Sequence, residues 1–153
     1  MINKAKKYKV PILYINQVGA QTELIFDGAS VAMNAKGEVE HELAFFAEEV
    51  RIIELGQPAA QAQNSDSGIA LIHDALILGI RDYFNKLGFK KAILGLSGGV
   101  DSALVLYLAA KALGAENVLS LLLPSGYSTE HSLADAIKLC ENLGTKYETV
   151  PIE

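Results

Sequence analysis

The chain has one cysteine, Cys140, and so cannot form a disulfide with itself. That points to a reducing compartment, the cytoplasm. It has no excess of positive charge: 13 Lys and Arg face 18 Asp and Glu, for a net charge of −5. Proteins that grip nucleic-acid backbones usually carry the opposite balance, so no nucleic-acid partner is expected. It has no uninterrupted membrane-length apolar run. The most apolar helical stretch, Ile69 to Leu87, is broken by His73, Asp74, Arg81 and Asp82, so no membrane partner is expected. Nor is a signal peptide expected: Lys4, Lys6, Lys7 and Lys9 precede only a short Val-Pro-Ile-Leu segment. These lysines read as a solvated helix end and not as a binding patch. Two common phosphate-binding patterns are missing as well. No lysine lies between Gly95 and Leu108, which removes a Walker-type loop. Gly95-Leu96-Ser97-Gly98-Gly99-Val100 does not fit the G-x-G-x-x-G turn of dinucleotide folds.

What is present is a folded globular composition, with 153 residues, 50% apolar and 20% charged. Its most informative segment is Ser97-Gly98-Gly99-Val100-Asp101-Ser102. A short apolar run (Ala92 to Leu96) precedes it and a long one (Ala103 to Leu113) follows, which reads as strand, glycine turn and helix. Two glycines allow a tight curl. A helix start offers unpaired N–H groups and a partial positive charge, so the segment suits an anion, above all the phosphates of a nucleotide. The plainer reading is a strand-to-helix turn with Ser102 as a cap. S-G-G-x-D-S resembles the pyrophosphate loop of ATP-dependent adenylating enzymes. That resemblance implies ATP cleaved between its α and β phosphates, pyrophosphate held by Ser and Gly groups, and Mg²⁺ held by Asp101.

The chain reads as two blocks with a joint. In the first, Lys4 to Lys9 ends a helix closed by Val10-Pro11. Strands are expected at Ile12–Ile15, Thr22–Phe26 and Val50–Ile53, with a turn at Asn16–Gly19. Asn34 to Gly37 reads as a type I turn. Gly56 to Gly68 has no apolar residue larger than alanine or proline and reads as a linker. The second block opens with a helix capped by Ser67, its apolar face formed by Ile69, Ile72, Leu76, Ile80, Tyr83 and Leu87 and its stop at Gly88. Strand 92–96, helix 102–113, strand 118–123, a helix opened by a Ser132/Asp135 capping box and stopped by Gly144, and strand 147–152 follow. Alternating strands and helices predict an α/β fold with a parallel sheet. Strand 92–96 is apolar throughout, as expected of a strand covered on both faces. Helix 102–113 is apolar nearly all round and predicts burial on more than one side, by another layer or another subunit.

Two further runs carry a family resemblance. Ile72-His73-Asp74-Ala75-Leu76, Gly79-Ile80-Arg81-Asp82-Tyr83 and Gly95 to Leu104 resemble the start of a NAD⁺ synthetase domain, and Leu123-Pro124-Ser125 with Tyr127 to Ser132 extends the likeness. Tyr14 to Gly19 and Glu23 to Ser30 resemble the end of the nitrilase-like glutaminase domain of the glutamine-dependent form. The resemblance implies glutaminase end at 1–55, linker at 56–68 and the N-terminal part of the ATP-binding domain at 69–153. It implies an incomplete adenine nucleotide alpha hydrolase-like sheet with helices on both faces, preceded by the last strands of a nitrilase-like αββα sandwich. It further implies a carbon–nitrogen ligase of NAD biosynthesis, a glutamine amidotransferase that adenylates deamido-NAD⁺ with ATP and Mg²⁺ and then amidates it with ammonia from glutamine. Carried over, Gly95, Leu96, Ser97, Gly98, Gly99, Val100, Asp101 and Ser102 bind ATP, Asp101 binds the metal, and Pro124, Ser125 and His131 cover the nucleotide. Gly126 stands where many relatives carry arginine. The glutaminase Glu, Lys and Cys residues and the later half of the synthetase domain are not in this sequence. The chain is therefore expected to be the middle of a longer polypeptide, inactive alone, and part of a homo-oligomer.

Cys140, on an apolar helix face in the second block, reads as core filler and not as the glutaminase nucleophile. His73 reads as a packed, hydrogen-bonded side chain and His41 as a surface group. His131 is the one histidine with a functional reading, through its place beside the expected nucleotide cover. Tyr14, Asn16 and Gln17 fit either the lining of the glutaminase side or a strand end closing a sandwich. Glu48-Glu49 reads as a solvated face. Two other functions remain open: another pyrophosphate-loop ligase or transferase, such as a GMP or asparagine synthetase relative or a tRNA-modifying enzyme, and a non-catalytic nucleotide-binding or assembly module.

Overall fold

The computed structural model describes residues 1–56, 68–125 and 130–152. All of the expected linker except its end residues, the Ser67 cap and Gly126 to Thr129 lie outside the described residues. The chain divides into two compact units, Met1–Leu78 and Gly79–Glu153.

The first unit begins with helix α1 (Ile2–Tyr8), closed by Lys9 in the left-handed region at φ 54°. Strands β1 (Ile12–Tyr14), β4 (Val31–Met33) and β5 (Val39–Glu42) form an antiparallel sheet in the order β1-β4-β5. Strands β2 (Val18–Gln21) and β3 (Leu24–Asp27) form a separate hairpin, with Gln21 opposite Leu24. The Asn34–Gly37 turn forms as expected. Gly37 N donates to Asn34 O at 2.9 Å, and Asn34 Oδ1 accepts the Lys36 and Glu38 amides at 2.9 and 3.0 Å. Gly37 is at φ 76°, and a Cβ there would lie 2.9 Å from Ile2 Cγ2, so only glycine suits the corner.

Two expectations for this unit fail. Val18-Gly19 belongs to a strand and not to a turn, and the hairpin corner falls at Thr22-Glu23. Thr22 takes φ 55°, a conformation that β-branched residues avoid, so its strand propensity pointed the wrong way. Val50 to Ile53 is not a strand: Val50 is 99% and Ile52 97% exposed. β-propensity expresses packing against neighbouring strands, and among the described residues no strand pairs with this run. Local polar contacts hold the segment instead. Glu49 Oε2 accepts Ala44 N at 2.8 Å, Arg51 pairs with Glu49, and Arg51 Nη1 donates to Glu42 O at 3.2 Å.

Helix α2 (Gly68–Leu87) ends in a Schellman turn. Phe89 N donates to Phe84 O at 2.9 Å, Gly88 N to Asn85 O at 3.2 Å, Gly88 is at φ 75°, and the Phe84 and Phe89 rings meet edge-on at 6.0 Å. The stripe expected to be its core face is open: Ile69, Ile72, Leu76, Tyr83 and Leu87 are exposed, and Leu78 is the buried residue. Apolar residues line more than one side of this helix, so periodicity alone did not pick the covered one.

In the second unit, β6 (Ala92–Gly95), β7 (Val118–Leu122) and β8 (Lys146–Thr149) form a parallel sheet in that order. Helix α3 (Val100–Leu113) connects the first pair and α4 (Glu130–Leu143) the second. Two crossovers of the same hand between consecutive neighbours place both helices on one face. That face is the core: Leu96, Leu106, Ala109, Val118, Leu122, Ala136 and Cys140 pack together. Cys140 is fully buried there, as its reading as filler requires. Ile93, on the other face of β6, is 67% exposed, so this strand is not covered on both sides. Helix α4 begins at Glu130, which puts Ser132 inside its first turn and not at a cap. Helix α3 buries Leu106, Leu108, Ala109 and Ala112 while Val100, Leu104 and Val105 stay exposed.

Ser120, in the middle of β7, is fully buried, and its hydroxyl has no hydrogen-bond partner among the described residues. An orphaned buried hydroxyl costs free energy that an alanine would not. Ser120→Ala is expected to raise unfolding stability by about 1 kcal/mol, measured by urea denaturation. At Glu49 the backbone hydrogen bond from Ala44, aided by Arg51, holds the carboxyl below the ordinary glutamate range. A depressed folded-state value contributes stability that is complete above the unfolded glutamate's range and lost as pH falls through the lowered value. Wild type is therefore expected to exceed Glu49→Gln in stability at neutral pH, with the gap closing as the solution is acidified below pH about 4.

Candidate functional site

The site is built where β6 ends. Gly95 is the last residue of the strand, and Leu96 is buried and donates its amide to Leu121 O at 2.9 Å, fixing the exit to β7. Gly98 and Gly99 form the bend after Ser97. Gly98 is at φ 80°, and a Cβ there would overlap the Ser132 carbonyl, with the carbonyl carbon 2.8 Å away. The second glycine, Gly99, is the N-cap of α3 with extended backbone, φ −83° and ψ 157°. Val100, Asp101 and Ser102 make the first turn of α3. Ala103 N is bonded to Gly99 O at 3.1 Å, so the three amides before it have no helical carbonyl of their own.

Ser102 is not a cap in the ordinary sense. Its hydroxyl donates to Gly99 O at 3.0 Å, accepts Ser97 N at 3.3 Å and lies 3.0 Å from Ser97 Oγ. Ser97 Oγ in turn accepts Gly99 N at 3.3 Å. Asp101 is exposed in the first helical turn, where a carboxylate is favoured by the helix dipole. No cluster of three or more metal-ligating side chains exists among the described residues.

A cleft of about 100 Å³ opens beside the loop, lined by Leu96, Ser97, Leu122, Leu123, Pro124, Ser132 and Leu133. It lies at the carboxyl ends of β6 and β7, where open α/β sheets bind ligands. The structure brings Leu96, Ser97 and Pro124 together here. Ser125 follows Pro124, and His131 is exposed on the second residue of α4; neither lines the cleft. Gly126 is outside the described residues. The sequence analysis did not single out Leu122, Leu123, Ser132 and Leu133 as lining. Their signal was their place at the end of β7 and the start of α4, the elements that flank the loop.

The remaining candidates are scattered. His73 Nδ1 is 2.8 Å from Asp74 Oδ1 on α2, a hydrogen-bonded histidine half open to solvent. His41 is half-buried in β5 and not a plain surface group. Asn16 joins two strand ends: its amide hydrogen-bonds to Asp27 Oδ1 at 2.8 Å, and its backbone N–H to Ser30 Oγ at 2.9 Å. Glu48 is exposed, whereas Glu49 makes the contacts described above.

The sheet and its glycine turn define a class: an α/β unit whose glycine bend and helix start lie at a strand's carboxyl end, the place where open α/β sheets bind ligands. Residues 72–153 match the NAD synthase family. The chain is 44% identical over 158 residues to the glutamine-dependent NAD(+) synthetase of Synechocystis sp., covering 98% of this chain and 28% of that protein. It is 44% identical over 151 residues to the enzyme of the same name from Rhodobacter capsulatus, covering 94% and 27%. The glutamine-dependent NAD+ synthetase of Acinetobacter baumannii, solved in complex with adenosine diphosphate, superposes with a TM-score of 0.93 at 34% identity over 99% of this chain and 30% of that one. The chain belongs to the NAD synthase family and spans little more than a quarter of the length of the first two relatives.

Gly98→Ala would force both a left-handed residue and a backbone overlap. It is expected to lower stability by about 1–3 kcal/mol in urea unfolding. Gly88→Ala, where a Cβ meets nothing within 4 Å, should cost less, about 1 kcal/mol.

Proposed function

We propose that this chain is the junction of a glutamine-dependent NAD⁺ synthetase: the end of the glutaminase domain at 1–55, a linker at 56–68 and the start of the ATP-binding domain at 69–153. The observation that carries this reading is the Ser97–Ser102 turn at the carboxyl end of β6, in a chain of the NAD synthase family. In this reading the amides of Val100, Asp101 and Ser102 receive the β and γ phosphates of ATP. The adjoining cleft, apolar on Leu96, Leu122 and Leu123 and polar at Ser97 and Ser132, has room for part of a nucleotide beside the loop. Pro124, Ser125 and His131 flank it.

The chemistry is carboxylate activation. An oxygen of the nicotinate carboxylate of deamido-NAD⁺ bonds to the α phosphorus of ATP and the bond to the β-phosphate oxygen breaks, releasing pyrophosphate. Ammonia derived from glutamine then attacks the acyl carbon, and AMP leaves with the bonding electrons. The loop's task is the first step: fixed backbone donors stabilise the charge that gathers on the departing pyrophosphate.

Asp101 sets the metal requirement. An exposed carboxylate one residue into α3 would repel a polyphosphate bound at the same turn. One carboxylate together with phosphate oxygens is a common donor set for Mg²⁺, so the residue fits that ion. Bound there, Mg²⁺ would supply charge neutralisation to the phosphates. Asp101 would hold it in register with the loop amides.

Binding of ATP to the chain tests the reading without requiring turnover. With Mg²⁺ present, affinity is expected to exceed that in chelator at least tenfold. Asp101→Ala should erase most of that difference while leaving the chain folded, as judged by calorimetry and circular dichroism. Equal affinity with and without Mg²⁺, unchanged by Asp101→Ala, would remove the assignment.

A further inference from the structure

The hydroxyls of Ser97 and Ser102 form a closed circuit. Ser102 Oγ–H is committed to Gly99 O at 3.0 Å. The 3.0 Å contact between the two hydroxyls must therefore be donated by Ser97. Ser102 Oγ then accepts from both Ser97 Oγ–H and Ser97 N, and Ser97 Oγ accepts from Gly99 N. Ser102 uses its one donor and both acceptor sites within the bend, which is its full capacity. The pattern resembles a capping box in which the third helical residue reaches back, but here the reach extends beyond the N-cap to Ser97.

The circuit ties the residue that leaves β6 to the residue that caps α3, across Gly98. Gly98 itself has no side chain with which to hold the bend, and its left-handed φ of 80° must be maintained by its neighbours. We propose that Ser102 is a positioning residue: its hydroxyl holds Ser97 and Gly99 in the curled form, so the amides of the α3 first turn are already arranged when a phosphate arrives. This rests on the phosphate-binding reading above and adds to it that the loop is organised before binding, by a side chain acting through the backbone of two other residues. Pre-organisation of this kind raises affinity by removing an ordering cost from the binding step.

The test uses the 153-residue chain, inorganic pyrophosphate with Mg²⁺ as probe, and amide hydrogen exchange of the ligand-free protein by NMR. Ser102→Ala should speed exchange at the residue 97 amide severalfold and weaken pyrophosphate binding about tenfold, the loss of roughly one or two hydrogen bonds. Ser102→Thr, which keeps the hydroxyl, should restore both to within about twofold. Ser97→Ala should speed exchange at Gly99 while leaving the residue 97 amide protected, because that amide bonds to Ser102. The proposal is overturned if Ser102→Ala weakens binding while the ligand-free amides exchange at wild-type rates, since the hydroxyl would then act only as a ligand contact. It is equally overturned if Ser102→Thr behaves as Ser102→Ala. Should the variants change exchange as expected while the wild-type chain fails to bind pyrophosphate, Ser102 still orders the loop and it is the nucleotide function that fails.

Discussion

The carbonyl group of Ser132 occupies the space in which a side chain at position 98 would lie. This close approach of helix α4 to the glycine bend is the constraint from which the site takes its form. Because α4 closes against the bend, the cleft has a second wall, and the loop is confined between that wall and the start of α3. The position of α4 is in turn set at its far end, where Ala136 and Cys140 pack with Leu106 of α3 and Val118 and Leu122 of β7. A change in the core is therefore transmitted to the loop as a displacement of backbone, which well-packed interiors resist.

The nucleotide recognition proposed for this loop would not depend on basic side chains. The loop has no lysine or arginine, and the chain carries a net charge of −5. What it offers instead are amides fixed by the fold and a helix dipole, which need no reorganisation when charge appears. In the proposed nucleotide site Asp101 would leave the anion site incomplete by itself, and a divalent cation would be its complement. The same economy applies in the ligand-free loop, whose seryl hydroxyls satisfy the amides that would otherwise be left to solvent.

The second unit covers its sheet on one face only, and parallel sheets are normally sheltered on both. Ile93, the open stripe of α2 and the first turns of α3 present apolar surface that no described residue covers. Such surface accords with a family whose relatives are more than three times as long as this chain. It also explains why periodicity misjudged α2. A helix that is apolar on two sides announces burial but not the side on which it will occur.

The sequence by itself determined the local structure with strong steric or periodic cause: the Asn34–Gly37 turn, the helix stops at Gly88 and Gly144, the alternation of strands and helices, and the glycine bend between β6 and α3. These depend on residues a few positions apart, so their physics is contained in a short window. It did not determine the hairpin corner at Thr22, the unpaired course of Val50–Ile53 or the place of Ser132 within α4, because each turns on which neighbours are available to pair or pack. Nor did it disclose that Gly98 must be glycine on account of Ser132, 34 positions away, or that Ser97 and Ser102 exchange hydrogen bonds across the bend. Those facts are decided only when distant backbone segments meet, since overlap and hydrogen bonding act over a few ångströms in space whatever the separation along the chain.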